Sequence, residues 1–504
     1  MGDAPRPRPI RDPSYLDALT PLVVLVALIG GAILLFGLDA TDGPVQVALL
    51  LAAETAALVA LKNGHAWEAI ADAGRRGISS VVSAIFILLA VGALIGTWNM
   101  AGTIPTLVLY GIQLISPDWF YLASLAICGG ISLGIGSSWT TAGTVGVGLV
   151  GLAALAGVSP AITAGAVISG AYLGDKLSPL SETTVLAAQL TGNDIRTHLR
   201  AQLWTSVPAF ALAALAMTIL GWADGSSGAG EAAVASELTA LDTLFRITPL
   251  NLLPLVLLVA LSVLRVPSSL AIMAAALFAG AIAPILQPEA VLRFVNAPEL
   301  GTATASIKAV WQATANGFQA KSGIPVVDDL LSRGGMASML KTVWLILAAI
   351  ALGSVLAEFG MLAKLVTPVI RRVRTTGQLV GAVVGTAFGL NVVAGDQYIA
   401  LVLPVRLFQN EFEKRAIATT TLSRAVADAG TVTSPLVPWN SCGAYMSAVL
   451  GVPTLLYLPF CVFNIASPFL TLALAAGGGH RPRRPEDPLV RDTRTSSAVV
   501  PEGT

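Results

Sequence analysis

The chain has 504 residues, 55% of them hydrophobic and only 12% charged, with 49 glycines and a net charge of zero. Soluble domains run near a quarter charged, so the composition excludes an ordinary soluble enzyme and indicates a polytopic membrane protein. Zero net charge says nothing for an acidic or basic partner, and nothing in the sequence points to nucleic acid.

In chain order, a polar N-terminal segment (1–18) is expected in the cytoplasm, followed by a first apolar run that reads as a retained span rather than a signal peptide. Apolar runs at 19–37, 44–61, 81–98, 199–221, 268–286, 337–357 and 454–476 are each long enough for a ~30 Å hydrocarbon layer. Segments 101–116, 139–157 and 158–191 read as broken spans or re-entrant hairpins, giving roughly ten to fourteen crossings. The tail 477–504 lacks apolar periodicity and is expected to be disordered and cytoplasmic. Cys128, Cys442 and Cys461 have no paired spacing and read as small buried residues. His65, His198 and His480 fall in loops or the tail and read as solvated.

The chain repeats itself. The stretch from Gly77 lies over the stretch from Gly335 without a gap, so that Gly102 meets Gly360. Further on, Ser178-Pro179-Leu180 meets Ser434-Pro435-Leu436, and at the same register 137–141 meets 393–397. Basic residues favour the cytoplasmic side. Arg75 and Arg76 follow the second span and "NDIRTHLR" precedes the last span of the first half, whereas Arg265 and "RRVR" occupy the alternate turns of the second. The connector carries Asp224, Glu231, Glu237 and Asp242. The expectation is an all-α transmembrane bundle of two inverted repeats, 19–221 and 250–476, joined by an extracytoplasmic connector, 222–249, with both termini cytoplasmic. Inverted repeats with interrupted helices are a signature of secondary transporters, with the binding site at the midplane between the repeats.

The interruptions are where polarity concentrates. "GDKLSPLSETT" (174–184) sets Asp175, Lys176 and Glu182 among hydroxyls and breaks the helix at Pro179. Backbone freed in this way must line a cavity, because lipid cannot satisfy it. Four acids in the interrupted segments, Asp175, Glu182, Asp396 and Asp428, are the candidates for ion binding and proton coupling, since a carboxylate at bilayer depth costs several kcal/mol. Burial favours the protonated carboxyl and a bound cation the ionised one, so Na+ and H+ can compete for one group. Hard cations take oxygen ligands. These are supplied by Ser137, Ser138, Thr140, Thr141, Ser178, Ser181, Thr183, Thr184, Thr431 and Ser434 and the amides of Asn391, Gln397 and Asn440.

Bland alternatives exist for several. Arg424 and Asp428, four apart, could form a helix-surface ion pair. Asp175 could sit at the membrane edge with Lys176 snorkelling. Arg406 could balance Asp396 or anchor at a surface, and Trp139 and Trp439 could simply pack helices. Glu54 and Glu358 lie in apolar runs outside the motifs.

At "GSSWTTAGTVG" (136–146), "GAYLGDKLSPLSETT" (170–184), "GDQYIALVLPVRLF" (395–408) and "SRAVADAGTVTSPLVPWNSCGAYM" (423–446), the chain resembles the NhaC family of Na+/H+ antiporters. The resemblance implies a bacterial inner-membrane exchanger in which one bundle moves against a scaffold. It uses no cofactor beyond the transported Na+ and H+, the Na+ being held by Asp175 and Asp396. The family commonly has Asp where this chain has Glu182. Relatives of similar pattern exchange organic acids or amino acids, so a Na+- or H+-coupled exchanger of small carboxylates or amino acids is the alternative, with Arg406 or Arg424 meeting the carboxylate. An intramembrane aspartyl protease is disfavoured because neither Gly-Asp pair stands in a Gly-x-Gly-Asp setting, and a zinc enzyme because no His-x-x-x-His pair or cysteine cluster exists. A passive channel and a homodimer stay open.

Overall fold

The computed structural model describes residues 9–224, 239 and 241–477. The expected tail, His480, Glu231 and Glu237 lie outside the described residues. The described chain is all helix. Helices α1 (Tyr15–Phe36), α2 (Pro44–Lys62), α3 (Trp67–Met100), α4 (Thr103–Leu114), α5 (Phe120–Ile135), α6 (Ser138–Leu155), α7 (Pro160–Leu177), α8 (Glu182–Leu190) and α9 (Ile195–Asp224) form the first half. The second comprises α10 (Leu253–Val263), α11 (Ser268–Leu286), α12 (Pro288–Val295), α13 (Thr302–Asn316), α14 (Pro325–Leu331), α15 (Leu340–Glu358) and α16 (Met361–Arg372), then α17 (Thr376–Val393), α18 (Gln397–Lys414), α19 (Thr419–Val426), α20 (Ser441–Leu450), α21 (Thr454–Tyr457) and α22 (Val462–Ala476). A π turn interrupts α6 at Ala142–Gly146, and another, Ala427–Thr431, follows α19.

Among the described residues, nine helices are long and apolar enough to cross a membrane, or ten if one bent pair counts as a span, the low end of the expected range. The sequence reading of 454–476 as a single crossing is corrected: Thr454–Phe460 ends at Cys461, whose backbone leaves the helical region (φ −78°, ψ 60°), and a separate helix starts at Val462. Thr454–Phe460 instead meets Ser441–Leu450 at 90°, where Gly451 turns the chain at φ 68° and Pro453 precedes the next helix. Conversely, 81–98 is the end of a 34-residue helix, and 139–157 becomes one 18-residue helix with a π turn.

Helix boundaries recur at a nearly constant spacing. α4 and α16 are both 12 residues long, start 258 positions apart, and follow glycines in the left-handed region, Gly102 (φ 75°) and Gly360 (φ 73°). From there the spacing is 259: Ser138 and Gln397 open α6 and α18, Pro160 and Thr419 open α7 and α19, Glu182 and Ser441 open α8 and α20. Ser137 and Asp396 are thus equivalent N-caps, each preceded by a positive-φ glycine, Gly136 and Gly395. The sequence pairing of 137–141 with 393–397 was therefore three residues out of register. The two Ser-Pro-Leu turns misled it, because the second half inserts extra residues between that turn and the next cap, Asn440.

Packing of α5 on α7 is set by small residues. A Cβ at Gly170 would lie 2.4 Å from the Leu125 carbonyl oxygen, and one at Gly174 would lie 2.0 Å from Ser132 Oγ and 2.2 Å from the Ser132 carbonyl oxygen. With no hydrophobic force between helices in lipid, such close approach supplies van der Waals contact in its place. In the seam, Ser132 Oγ donates to the Ala171 carbonyl. Gly174→Ala should therefore force the helices apart and cost about 1–3 kcal/mol, read as a lowered unfolding midpoint in detergent. Gly130→Ala in the same α5, where a Cβ meets nothing within 4 Å, should leave the midpoint unchanged or raised.

Candidate ion site

Four helix N-termini meet at one place. Ser137 caps α6 by accepting from the Thr140 amide, Ser181 caps α8 through the Thr184 amide, Asp396 caps α18 through the Ile399 amide at 2.9 Å, and Asn440 caps α20 through the Cys442 amide. The Ser441 amide donates to the Gly395 carbonyl, tying the last two together. Each N-terminus carries partial positive charge and a set of free N–H groups, a setting that stabilises carboxylates.

Asp175 occupies the last turn of α7 and uses both its ends. Its side chain accepts from the Ser138 amide (2.9 Å) and from Ser138 Oγ, so it holds the start of α6. Because α7 stops at Leu177 before the Ser178-Pro179 turn, the Asp175 carbonyl loses its helical donor. Three hydroxyls replace that donor: Thr184 Oγ1 at 2.7 Å, Ser181 Oγ at 3.0 Å and Thr183 Oγ1 at 3.1 Å. Hydroxyls expected as ion ligands thus also serve the broken backbone.

Asp175 and Asp396 line the same cavity of about 260 Å³, together with Ser137, Ser138, Trp139, Ser181, Glu182, Thr183, Gln397, Tyr398, Ser441 and Cys442, and with Ser80 and Ser83 from α3. Both carboxylates are buried; Glu182 is exposed and accepts from Tyr398 Oη at 3.0 Å. No Lys, Arg or His is among the lining residues. Gln397 turns its Oε1 toward Ser434 Oγ and Cys442 Sγ, both at 3.2 Å.

The remaining expected site residues stand behind the wall. Thr140 and Thr141 are buried in the first turn of α6, with Thr141 Oγ1 donating to the Ser137 carbonyl. Ser178 is buried and accepts from the Leu180 amide. Asn391 binds the Ala429 and Gly430 carbonyls and Thr433, and Asn440 binds Asn391 in turn, so these amides brace the unwound segment. Thr431 is buried among the same elements.

Asp428 lies elsewhere. Lys176, one residue past Asp175, points the other way and forms an ion pair with Asp428; both side chains are fully buried. Thr471 Oγ1 donates to Asp428, while Lys176 Nζ also meets Thr205 Oγ1 and Ser467 Oγ and lies 5.4 Å from the Phe463 ring centroid. This rules against three of the bland alternatives: Lys176 does not snorkel, Asp175 is not at an exposed edge, and Arg424 does not form an ion pair with Asp428. α7 separates the two acids because successive residues on a helix point about 100° apart. His198, expected to be solvated, is buried with Nδ1 2.9 Å from Ser423 Oγ. Arg406 is exposed and does not line the cavity. Of the residues outside the motifs, Glu54 is exposed and Glu358 pairs with Arg76 at 2.9 Å.

Sequence reasoning passed over Tyr398, Ser441 and Cys442 as lining residues. Tyr398 stands two residues past Asp396 in the first turn of α18, and that adjacency was the available signal. Trp139 lines the cavity while stacking on Tyr445, ring centroids 4.0 Å apart and 14° from parallel. Trp439 Nε1 donates to the Val392 carbonyl, a packing role.

A helical membrane bundle with interrupted helices around buried acids is the architecture of secondary active transporters. The profile of the Na+/H+ antiporter family matches residues 17–186 and 170–478. The chain is 36% identical over 429 residues to the Na+/H+ antiporter NhaC of Alkalihalophilus pseudofirmus, covering 85% of this chain and 88% of that one. It is 33% identical to the malate-2H+/Na+-lactate antiporter of Bacillus subtilis (88% and 92%), and 32% identical to the arginine/ornithine antiporter ArcD of Halobacterium salinarum (93% of each). The chain belongs to the Na+/H+ antiporter family. It is a multi-pass membrane antiporter rather than an enzyme.

The Lys176–Asp428 pair yields a stability test. Asp428→Asn leaves a buried ammonium without its counter-charge and should cost about 3–5 kcal/mol, seen as a lower detergent unfolding midpoint. Lys176→Met combined with Asp428→Leu should recover most of that loss, since the pair and an apolar replacement are often equivalent.

Proposed function

We propose that the chain exchanges Na+ for H+ by alternating access, the two ions competing for Asp175 and Asp396. The observation that carries this reading is the cavity lining: buried carboxylates, hydroxyls and an amide oxygen, with no cationic side chain. A Na+ is a hard cation served by such oxygens. Ser138 and the helix N-termini offset the cost of the carboxylate charges when the cation is absent. The empty, ionised site is thereby held back from crossing, which is the condition for obligatory exchange. Glu182 and Tyr398 sit at the exposed edge, where they meet the ion on entry. Asp428 takes a structural part with Lys176 rather than an ion-binding one.

The two halves, 19–221 and 250–476, are read as inverted repeats with both termini cytoplasmic in the bacterial inner membrane. The recurrence of helix starts at 258–259 supports the repeat, and the alternating basic turns support the inversion. A second reading, Na+- or H+-coupled exchange of small carboxylates or amino acids, draws support from the relatives named for malate, lactate, arginine and ornithine. The cavity disfavours its carboxylate form, because neither Arg406 nor Arg424 lines it.

The test is proteoliposomes carrying a Na+ gradient and an internal pH dye. Imposed Na+ should move protons with no organic solute present. Asp175→Asn and Asp396→Asn should each reduce exchange at least about tenfold, the equivalent of losing one charge-assisted ligand contact of roughly 1.5–3 kcal/mol. Proton movement that appears only when malate, lactate, arginine or ornithine is supplied would overturn the Na+/H+ reading.

A further inference from the structure

The ion cavity is not the largest space in the described molecule. A second cavity, of about 620 Å³, is bordered by Asp39 and Asp42 from the turn after α1, by Arg333 and Lys341, and by Ser447 of α20. None of its lining residues borders the ion cavity. Two helices nevertheless serve both spaces. On α3, Ser80, Ser83, Ala84 and Ile87 face the ion cavity and Ile95 faces the second, eight residues or about 12 Å beyond Ile87 along the helix. On α20, Ser441 and Cys442 face the ion cavity, and Ala444 and Ser447 face the second.

Tyr445 follows Ala444 on α20 and borders neither cavity; it is fully buried, with its ring against Trp139, which lines the ion cavity, and its hydroxyl donating to the Trp139 carbonyl at 2.7 Å. Behind it, a Cβ at Gly143 would stand 2.5 Å from Tyr445 Oη and 2.9 Å from a Val91 methyl. Gly143 belongs to the π turn of α6, and Val147 one turn later already borders the second cavity. The stacked pair thus connects the ion-cavity wall, at Trp139, with the turns of α6 and α20 that border the second cavity, at Val147, Ala444 and Ser447.

We infer that the 620 Å³ cavity is the second aqueous mouth of the transport path and that the Trp139–Tyr445 stack is the barrier that closes it from the ion site. The inference rests on the alternating-access reading above. Asp39 and Asp42 place carboxylates at this mouth, where a cation arriving from or leaving to that side is met by oxygen; Asp42 is held by Lys341 at 3.1 Å. Rearrangement of α20 against α6 unstacks the pair and joins the second cavity to Asp175 and Asp396, while closure around Glu182 and Tyr398 seals the first.

Two reporters and three barrier variants test it, the reporters in a chain whose Cys128, Cys442 and Cys461 are replaced by alanine. Ser83→Cys and Ser447→Cys are each exposed to a membrane-impermeant maleimide in right-side-out and in inverted vesicles. The expected result is labelling of the two from opposite sides. Labelling of both from the same side, or no labelling of Ser447→Cys from either, overturns the second mouth. For the barrier, Tyr445→Ala and Trp139→Ala should pass 22Na+ down its gradient without proton counterflow, and Tyr445→Phe, which keeps the stack, should stay coupled. Strict coupling in both alanine variants, once each is shown to be monodisperse, overturns the barrier assignment. The labelling pattern does not depend on which solute is exchanged, so it survives a failure of the Na+/H+ reading and separates the two claims.

Discussion

The architecture around the ion cavity depends on one residue satisfying two needs at once. Asp175 ends a helix that cannot continue through Ser178-Pro179, and in a bilayer the carbonyl thereby freed has to find donors within the protein. Ser181, Thr183 and Thr184 supply them from the turn and from the start of the next helix. The side chain of the same residue holds the first amide of α6. Helix end, turn and neighbouring helix start are therefore one hydrogen-bonded unit. The carboxylate that faces the cavity is fixed by the backbone arrangement that makes the cavity.

Two buried acidic groups beside different faces of α7, one on it and one reached by Lys176 about 100° around the helix, meet different fates. Asp428 is matched by Lys176 and surrounded by hydroxyls from α9 and α22, an arrangement that neutralises charge inside the bundle. Asp175, on the other face, has dipolar partners but no lysine, arginine or histidine beside it in the cavity. A group with only dipolar partners keeps an unmet preference for a cation, whereas a group already paired has none. That contrast, rather than burial alone, is what makes Asp175 the candidate ion ligand and Asp428 half of an ion pair.

Much of this was legible in the sequence. Pro179 within an apolar segment announced the break, while of the hydroxyls around it Ser181 and Thr183 border the cavity and Ser178 and Thr184 do not. Asp396 after Gly395 reads as part of an interrupted stretch, and the structure makes it the cap of α18 behind a positive-φ glycine. Tertiary choices were less accessible. Arg424 four residues before Asp428 suggested a helix pair, yet the turn between them is π-helical and Lys176 arrives from a distant segment. His198 sits in a run of charged and polar residues that looked solvated, and only the packing of α9 on α19 buries it. The register of the repeat was set three residues off by a short motif that both halves share in different places, something that helix boundaries reveal and letter matching does not.

The glycine seam between α5 and α7 bears on how a carrier of this kind can change shape. Backbones in contact through Gly170 and Gly174, with a serine hydroxyl bridging them, leave no clearance for one to slide along the other. The pair is mechanically a single beam. Under the proposed exchange, Asp175, fixed at its tip, would travel only as far as that beam swings, its stroke set by the pivot of two helices and not by the reach of one side chain.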